Sequence, residues 1–302
     1  MKLLVLSRKP TIYSTRRLRE AARLEGHACL CVDPLRCVLY LEDGRPRVKI
    51  AGEEVSGVDA VIPRIGTYAV EYGLAVVRHF EMMGIPVLNP SAAISIAKNK
   101  WECLQLLTEN GIPVPPTVMM RFPSHLMDTV GDLGGPPVIL KLLRGTQGAG
   151  VILAESNEAA ESMMDTVWSL GEDIMVQKFI SEARGKDVRA LVIGGEVVAA
   201  MQRVAKEGDF RSNIHRGGVG LRIELSKEMK DIAVRAATLL GLHVSGVDIL
   251  ESNRGPLVLE VNASPGFQGL EEATDRDIAV EMVQQAVKLA ERRRLGPVSP
   301  AI

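Results

Sequence analysis

Two strand-like runs near the end of the chain, GVDIL (246–250) and PLVLEVN (256–262), are joined by a short turn through Ser252, Asn253, Arg254 and Gly255. A connection this short allows only an antiparallel hairpin. Centred near Arg254, the hairpin sets Asp248 across from Glu260 to within one residue of register. Side chains alternate faces, so Val247 and Ile249 should share an apolar face with Leu257, Leu259 and Val261. Asp248, Glu260 and Asn262 then gather on the other face. Two facing carboxylates repel and gain proton affinity unless a cation lies between them. Oxygen donors without histidine or cysteine favour magnesium or manganese, with nucleotide phosphates and water completing the shell. The competing reading is a hairpin whose polar side faces solvent.

A second cluster lies upstream. The strand pattern PVILKLL (137–143) runs through GTQGAG (145–150) into VILAES (151–156). A glycine loop between two strands differs from a P-loop or a Rossmann turn, each of which feeds a helix. Gly145, Gly148 and Gly150 either form a flap whose amides close over phosphates or simply make a hairpin. Lys141, between Leu140 and Leu142, needs a partner or a route to water, and an ammonium there suits a phosphate. The loop 203–218 adds Arg203, Lys206, Arg211, His215 and Arg216 among Gly208, Ser212, Asn213 and Gly217. Such a loop is either a solvated surface or a wrapping for anionic oxygens.

The amino-terminal part reads strand (2–6), helix (STRRLREAARLEG, capped at Ser14 and stopped at Gly26) and strand (28–32), which suggests a parallel βαβ opening. DAVIPRIG (59–66) is another buried strand. No GxGxxG follows the first strand, which counts against a dehydrogenase. A helix from Ser91 is expected to run on through KNKWECLQLLTENG to Gly111, and IPVPP (112–116) reads as a linker. A strand near 117–121, helices near 124–133, 157–169 and 226–241, and a hairpin turning at Gly194 and Gly195 complete the pattern.

A chain of 302 residues favours more than one domain. Its 36 basic and 37 acidic residues leave a net charge of -1, so no global field draws it to nucleic acid or membrane. Cys29, Cys31, Cys37 and Cys103 lack zinc-site spacing and read as reduced thiols, and no apolar run is long enough to span a bilayer. The expectation is a cytoplasmic protein.

The stretches YSTRRLREAA, VIPRIG, KLLRGTQGAGV, AKEGDFRSNIHRGG, SGVDIL and LEVNASPG together resemble the ATP-grasp carboxylate–amine ligases, and within them the RimK branch. The resemblance implies an α/β (α+β) ATP-grasp fold. It divides the chain into a parallel βαβ pre-ATP-grasp domain (1–95), a central lid domain with the glycine loop (96–175), a carboxy-terminal ATP-grasp domain with the metal site (176–295) and a tail (296–302). It implies that Lys141 contacts ATP phosphates, Lys178 and Phe179 form the adenine hinge, Asp187 meets the nucleotide sugar, and Arg211, Ser212 and Asn213 line the nucleotide site. Asp248, Glu260 and Asn262 would hold magnesium or manganese, as two ions, with Arg203 and Arg211 steadying the transferred phosphoryl group. The hinge departs from the pattern, which calls for an acidic residue where this chain has Lys178.

By the same resemblance ATP is cleaved to ADP and phosphate, L-glutamate is the amine, the C-terminal tail of ribosomal protein S-six is the acyl donor, and the assembly is a homotetramer. Two rivals remain. One is a sibling ligase that modifies a small molecule or a carrier protein. The other is a regulatory module that binds ATP without turning it over.

Overall fold

The computed structural model describes residues 1–142, 150–169, 171–206, 212 and 217–295. Its first part comprises β1 (Lys2–Leu6), α1 (Tyr13–Leu24), β2 (Ala28–Val32), β3 (Cys37–Glu42), β4 (Arg45–Ile50), β5 (Glu53–Glu54), β6 (Ala60–Pro63) and α2 (Val70–Met82). β1 pairs in parallel with both β2 and β6, giving the order β2-β1-β6. Every residue of β6 is buried, as the unbroken apolar pattern of a covered parallel strand requires.

Ser14 is not the cap of α1. Ile12 occupies that position without a side-chain cap, and Ser14 is buried in the first turn. The neighbouring hydroxyl is committed to tertiary structure, since Thr15 Oγ1 lies 2.6 Å from Ser7 Oγ at the end of β1. Between β2 and β6 the chain inserts an antiparallel meander, β3-β4-β5, to which the sequence reading assigned no structure. Its first turn carries Asp43 and Gly44 at φ 51° and 72°, the left-handed pair that tight hairpins favour.

The expected long helix is two. α3 (Ser91–Lys98) stops at Asn99, whose extended backbone starts α4 (Lys100–Glu109). Asn99 Oδ1 accepts the Glu102 N–H at 3.3 Å, and its Nδ2 donates to Glu102 Oε2 at 3.1 Å. A local cap thus outcompetes helix continuation.

The central sheet holds β7 (Thr117–Met120), β8 (Val138–Leu142), β9 (Val151–Ala154) and β10 (Ile174–Lys178) in the order β7-β10-β8-β9, all antiparallel. α5 (Leu126–Asp132) and α6 (Asn157–Ser169) pack with it around Leu126, Val130, Leu140, Met164 and Val176. β10 belongs whole to this sheet, so it straddles the division expected at 175/176.

The last sheet holds β11 (Lys186–Ile193), β12 (Glu196–Val204), β13 (Val219–Arg222), β14 (Val244–Ser252) and β15 (Gly255–Asn262), in the order β13-β12-β11-β14-β15. α7 (Lys227–Leu239), capped by Ser226 Oγ accepting the Met229 N–H at 3.2 Å, joins α3 and α4 in the core on one face. α8 (Gln268–Thr274) and α9 (Ile278–Arg294) cover part of the other face together with α1. No helix among the described residues is long and apolar enough to cross a membrane.

Buried Asn89 ties the parallel sheet to this last one. Its Nδ2 donates to the carbonyls of Val244 (2.7 Å) and Ala263 (2.8 Å), and its Oδ1 accepts the Val244 N–H (2.8 Å).

Candidate active site

One face of β11 carries Asp187, Arg189, Leu191 and Ile193 in alternation. Leu191 and Ile193 lie in the core under α8, α9 and α1. The charged end of the same face is left for the cleft against the central sheet. Cross-strand pairing extends it: Asp187 stands opposite Arg203 on β12, while Arg189, Asp248 and Glu260 form one row across β11, β14 and β15. Asn262 lies in the next row, opposite Gly246. The register inferred for the hairpin is the observed one.

The apolar face departs from expectation. A bulge between Asp248 and Ile249 shifts the register, so Ile249 pairs with Val258, which is fully buried, while Leu257 faces Leu250. Leu259 is the extra residue. Instead of joining the core with Val261, it lines the cleft beside Glu260. Bulges re-aim side chains in this way beside functional sites.

Asp248 has charge partners that the sequence reading did not include. Asp248, only 3% exposed, accepts hydrogen bonds from Arg189 Nε and Nη2, both at 2.7 Å, and from Arg203 Nη2 at 2.8 Å. Arg203 also forks onto Asp187, at 2.5 and 2.7 Å. Two arginines therefore neutralise two aspartates. Burial alone would raise its pKa, but the two guanidiniums outweigh burial and hold the carboxyl below the usual range. Arg189 had escaped the sequence reading, because its meaning depends on which strand becomes the neighbour of β11.

Two residues with expected roles are paired with each other in this geometry. Arg203, expected to face the transferred phosphoryl group, forms a buried cross-link between Asp187 and Asp248. Asp187 was expected at the nucleotide sugar. Its oxygens are taken by Arg203 and by the Ser212 hydroxyl. Ser212 is thus joined to the cluster, whereas Arg211, Asn213, Gly145 and Gly148 lie outside the described residues. Gly150 opens β9 at φ 76°, where a Cβ would come within 3.0 Å of the Leu142 side chain.

Across the cleft stand two lysines. Lys141 on β8 and Lys100 on α4 line it with Cys103, Met175, Leu259 and Glu260. Lys100 Nζ donates to the Leu142 carbonyl at 3.3 Å. Burial pushes the Lys141 amine down to about 8, an effect opposed by Glu260 and reinforced by Lys100. Lys100 was missed in the sequence because a lysine within the expected long helix reads as a solvated one. Lys178 closes β10, exposed, and its backbone N–H is spent on the Pro116 carbonyl at 2.8 Å. A backbone contact to a purine at that residue is left to its carbonyl. Half-buried Phe179 lies under the Arg184 guanidinium, 5.9 Å from the ring centre.

The residues fit a divalent cation in donor chemistry. Exposed Glu260 and half-buried Asn262 share the face of Asp248, so a carboxylate and an amide oxygen are available beside it. Among the described residues, no three His, Cys, Asp or Glu side chains cluster as a self-sufficient metal site. Any such ion would rely on oxygens from its substrate.

The RimK-like ATP-grasp domain family matches residues 97–286, and the RimK PreATP-grasp domain family matches residues 1–94. A relative from Syntrophotalea carbinolica named "Probable alpha-L-glutamate ligase" is 50% identical over 94% of each chain. One of the same name from Vibrio vulnificus is 46% identical over 98% of this chain and 99% of its own. Among solved structures, the ATP-grasp ligase PsnB complexed with a minimal precursor superposes with TM-score 0.77 at 26% identity, covering 95% of this chain and 98% of that one. Another PsnB structure, with minimal precursor, Mg and ADP, gives 0.75 at 25% identity, covering 96% and 98%.

Proposed function

Because the chain belongs to the RimK-like ATP-grasp family and is an ATP-dependent ligase, we propose that it joins the amine of L-glutamate to a carboxylate at the C-terminus of a protein substrate. The observation that carries this reading is the opposition of charges across one cleft. Lys100 and Lys141 stand on one wall, and the Glu260 and Asn262 edge stands on the other.

The chemistry asks for this division. A carboxylate attacks the γ-phosphate and gives an acyl phosphate with release of ADP. The amine then displaces phosphate to form the amide. Both steps need charge neutralised and groups aligned more than they need a protein nucleophile. Lys141 and Lys100 would meet the phosphate oxygens as point charges, gaining because the cleft is poor in water. Glu260 and Asn262, with Asp248 beside them, would hold magnesium, which when bound draws charge from the phosphate oxygens. Arg203 and Arg189 act one step removed, keeping Asp248 ionised and the row in register. Phe179 offers an apolar face for the base.

The finer reading names ribosomal protein S-six as the acceptor, two ions with manganese able to replace magnesium, a cytoplasmic setting and a homotetramer. Resemblance to the RimK branch supports it, and the precursor-bound ligases of the same fold support a peptide acceptor. The test is intact-mass spectrometry of acceptor peptides incubated with protein, ATP, magnesium and glutamate. Repeated increments of one glutamate residue on the S-six C-terminal peptide are expected. Modification of small molecules alone would move the assignment to a sibling ligase, and ATP binding without any increment would leave a regulatory module.

A further inference from the structure

The cleft does not account for a second concentration of positive charge, at the carboxyl edge of the parallel sheet. In the order β2-β1-β6 the chain leaves β1 toward one side and later returns on the other, so the carboxyl ends of β1 and β6 flank the point where the strand order reverses. Open parallel sheets bind ligands at that place. Arg64 is the first residue after β6. Its Nη2 donates to the Pro265 carbonyl at 2.6 Å, and its guanidinium lies 5.8 Å from the centre of the buried Phe267 ring. Lys98, at the end of α3, is half-buried, and burial together with the Arg64 charge lowers its amine. Among the described residues no carboxylate pairs with either cation.

Two cations held together without a counter-charge are a costly arrangement, and one that an incoming anion relieves. A second observation gives the place a ligand-facing character. Ser264 Oγ, next to the carbonyl that fixes Arg64, is buried without a hydrogen-bond partner, as is Asn262 Nδ2 two residues earlier. Burial lowers Arg64 to about 10, as expected for a guanidinium short of both water and a carboxylate.

The position also joins the nucleotide cleft. Lys98 is two residues from Lys100, and Pro265 is three from Asn262. Gly246 keeps them close, since a Cβ there would stand 2.9 Å from Pro265 Cβ and 3.7 Å from Arg189 Nε. A carboxylate held at this edge would lie beside the end of the row where the phosphoryl group is transferred.

We propose that Arg64 and Lys98, with the Ser264 hydroxyl, form a substrate-carboxylate clamp, one face of which is the amino-terminal sheet and the other the loop after β15. The inference rests on the ligase reading above and deepens it. The carboxylate comes either from the incoming amino acid or from the end of the acceptor chain. The planar guanidinium, fixed by one carbonyl, keeps further N–H donors for a two-oxygen contact.

The experiment compares wild-type protein with Arg64→Gln and Arg64→Lys in steady-state ligation, varying glutamate, acceptor peptide and ATP in turn. Glutamate carboxamides serve as probes of the amino-acid carboxylates. Arg64→Gln is expected to raise KM for one carboxylate substrate by about 10–100-fold, the size of a lost charged hydrogen bond, with KM for ATP within about twofold. Arg64→Lys should recover part of it. A rise confined to glutamate identifies the amino acid as the source and should vanish for the matching carboxamide. A rise confined to the peptide identifies the acceptor. Unchanged KM values for both, or a rise for ATP in step with them, would overturn the clamp. Equilibrium titration of glutarate and of the peptide into wild-type and Arg64→Gln protein reads the clamp without turnover. A wild-type protein that binds these in an Arg64-dependent way but ligates neither glutamate nor peptide would overturn the ligase reading and not the clamp.

Discussion

Asp248→Asn and Glu260→Gln change neighbouring residues of one cross-strand row by the same chemical step, yet the structure assigns them different consequences. Asp248 is 3% exposed and receives three hydrogen bonds from two arginines. An amide in its place leaves Arg189 without its charge partner, while Arg203 retains Asp187. Breaking a buried pair from one side costs about 3–5 kcal/mol. Asparagine keeps one acceptor, which puts the loss near about 3 kcal/mol. With a urea dependence of about 3 kcal/mol per molar, the upper range for small proteins, the midpoint should fall by about 1 M. Glu260 is exposed, so Glu260→Gln should stay within about 0.5 kcal/mol of wild type, a shift under about 0.2 M. Both variants should lose ADP release in the ligation assay. Urea melts followed by circular dichroism, without nucleotide or metal, separate the two roles. An unchanged midpoint for Asp248→Asn would refute the keystone role of the arginine pair. A Glu260→Gln enzyme with wild-type turnover would remove the assignment of that edge to the reaction.

Lys141 supplies a pH prediction. Its folded-state pKa of about 8 lies below the unfolded value, so above about pH 8 the folded protein holds a neutral amine that phosphate binding should reprotonate. ATP binding at pH 8.5 should take up protons, seen as a dependence of calorimetric enthalpy on the buffer's ionisation enthalpy, and Lys141→Arg should abolish the uptake; equal enthalpies in all buffers would refute it. The same depression means that this residue adds stability as pH rises from about 8 toward the unfolded value, because the unfolded chain there binds the proton that the fold excludes. Asn89→Ala should cost about 1–3 kcal/mol in urea melts by leaving the Val244 N–H and carbonyl and the Ala263 carbonyl unmatched, and a neutral result would show that the junction does not depend on it.

What could be read in the sequence was what depends on local pattern. The β14–β15 hairpin, the strand pair around the glycine loop and the β11–β12 turn at Gly194 and Gly195 all follow from alternation interrupted by turn residues. The bulge at Leu259 did not, because alternation carries no mark of an extra residue until the partner strand is known. The break at Asn99 was legible in principle as a capping residue with Glu102 three positions on, but the apolar spacing on both sides argued for continuation. The Asp43-Gly44 turn was equally legible and went unused. Arg189 is another kind of omission, and the pairing of Arg203, though not the residue itself, went unread for the same reason. Their partners are 59 and 45 residues away at Asp248, and only the order of strands in the sheet decides whether such charges meet or face solvent.

The same dependence explains why the site is complete only where three sheets meet. The central sheet brings Lys141, the carboxy-terminal sheet brings the acidic row with its arginine supports, and the parallel sheet brings Arg64. None of these groups is comfortable alone. Among the described residues, no ion pair neutralises the buried lysine, the exposed Glu260 edge or the Arg64 guanidinium. Nucleotide phosphates, a divalent ion and a substrate carboxylate would match them in that order, with charges that alternate from one to the next. The two flanking sheets are tied through Asn89 and the Arg64–Pro265 contact, so the carboxylate edge and the acidic row should move as one. The central sheet approaches them through the cleft that Lys100 and Lys141 line, and closure there would bring phosphate to a carboxylate already in place.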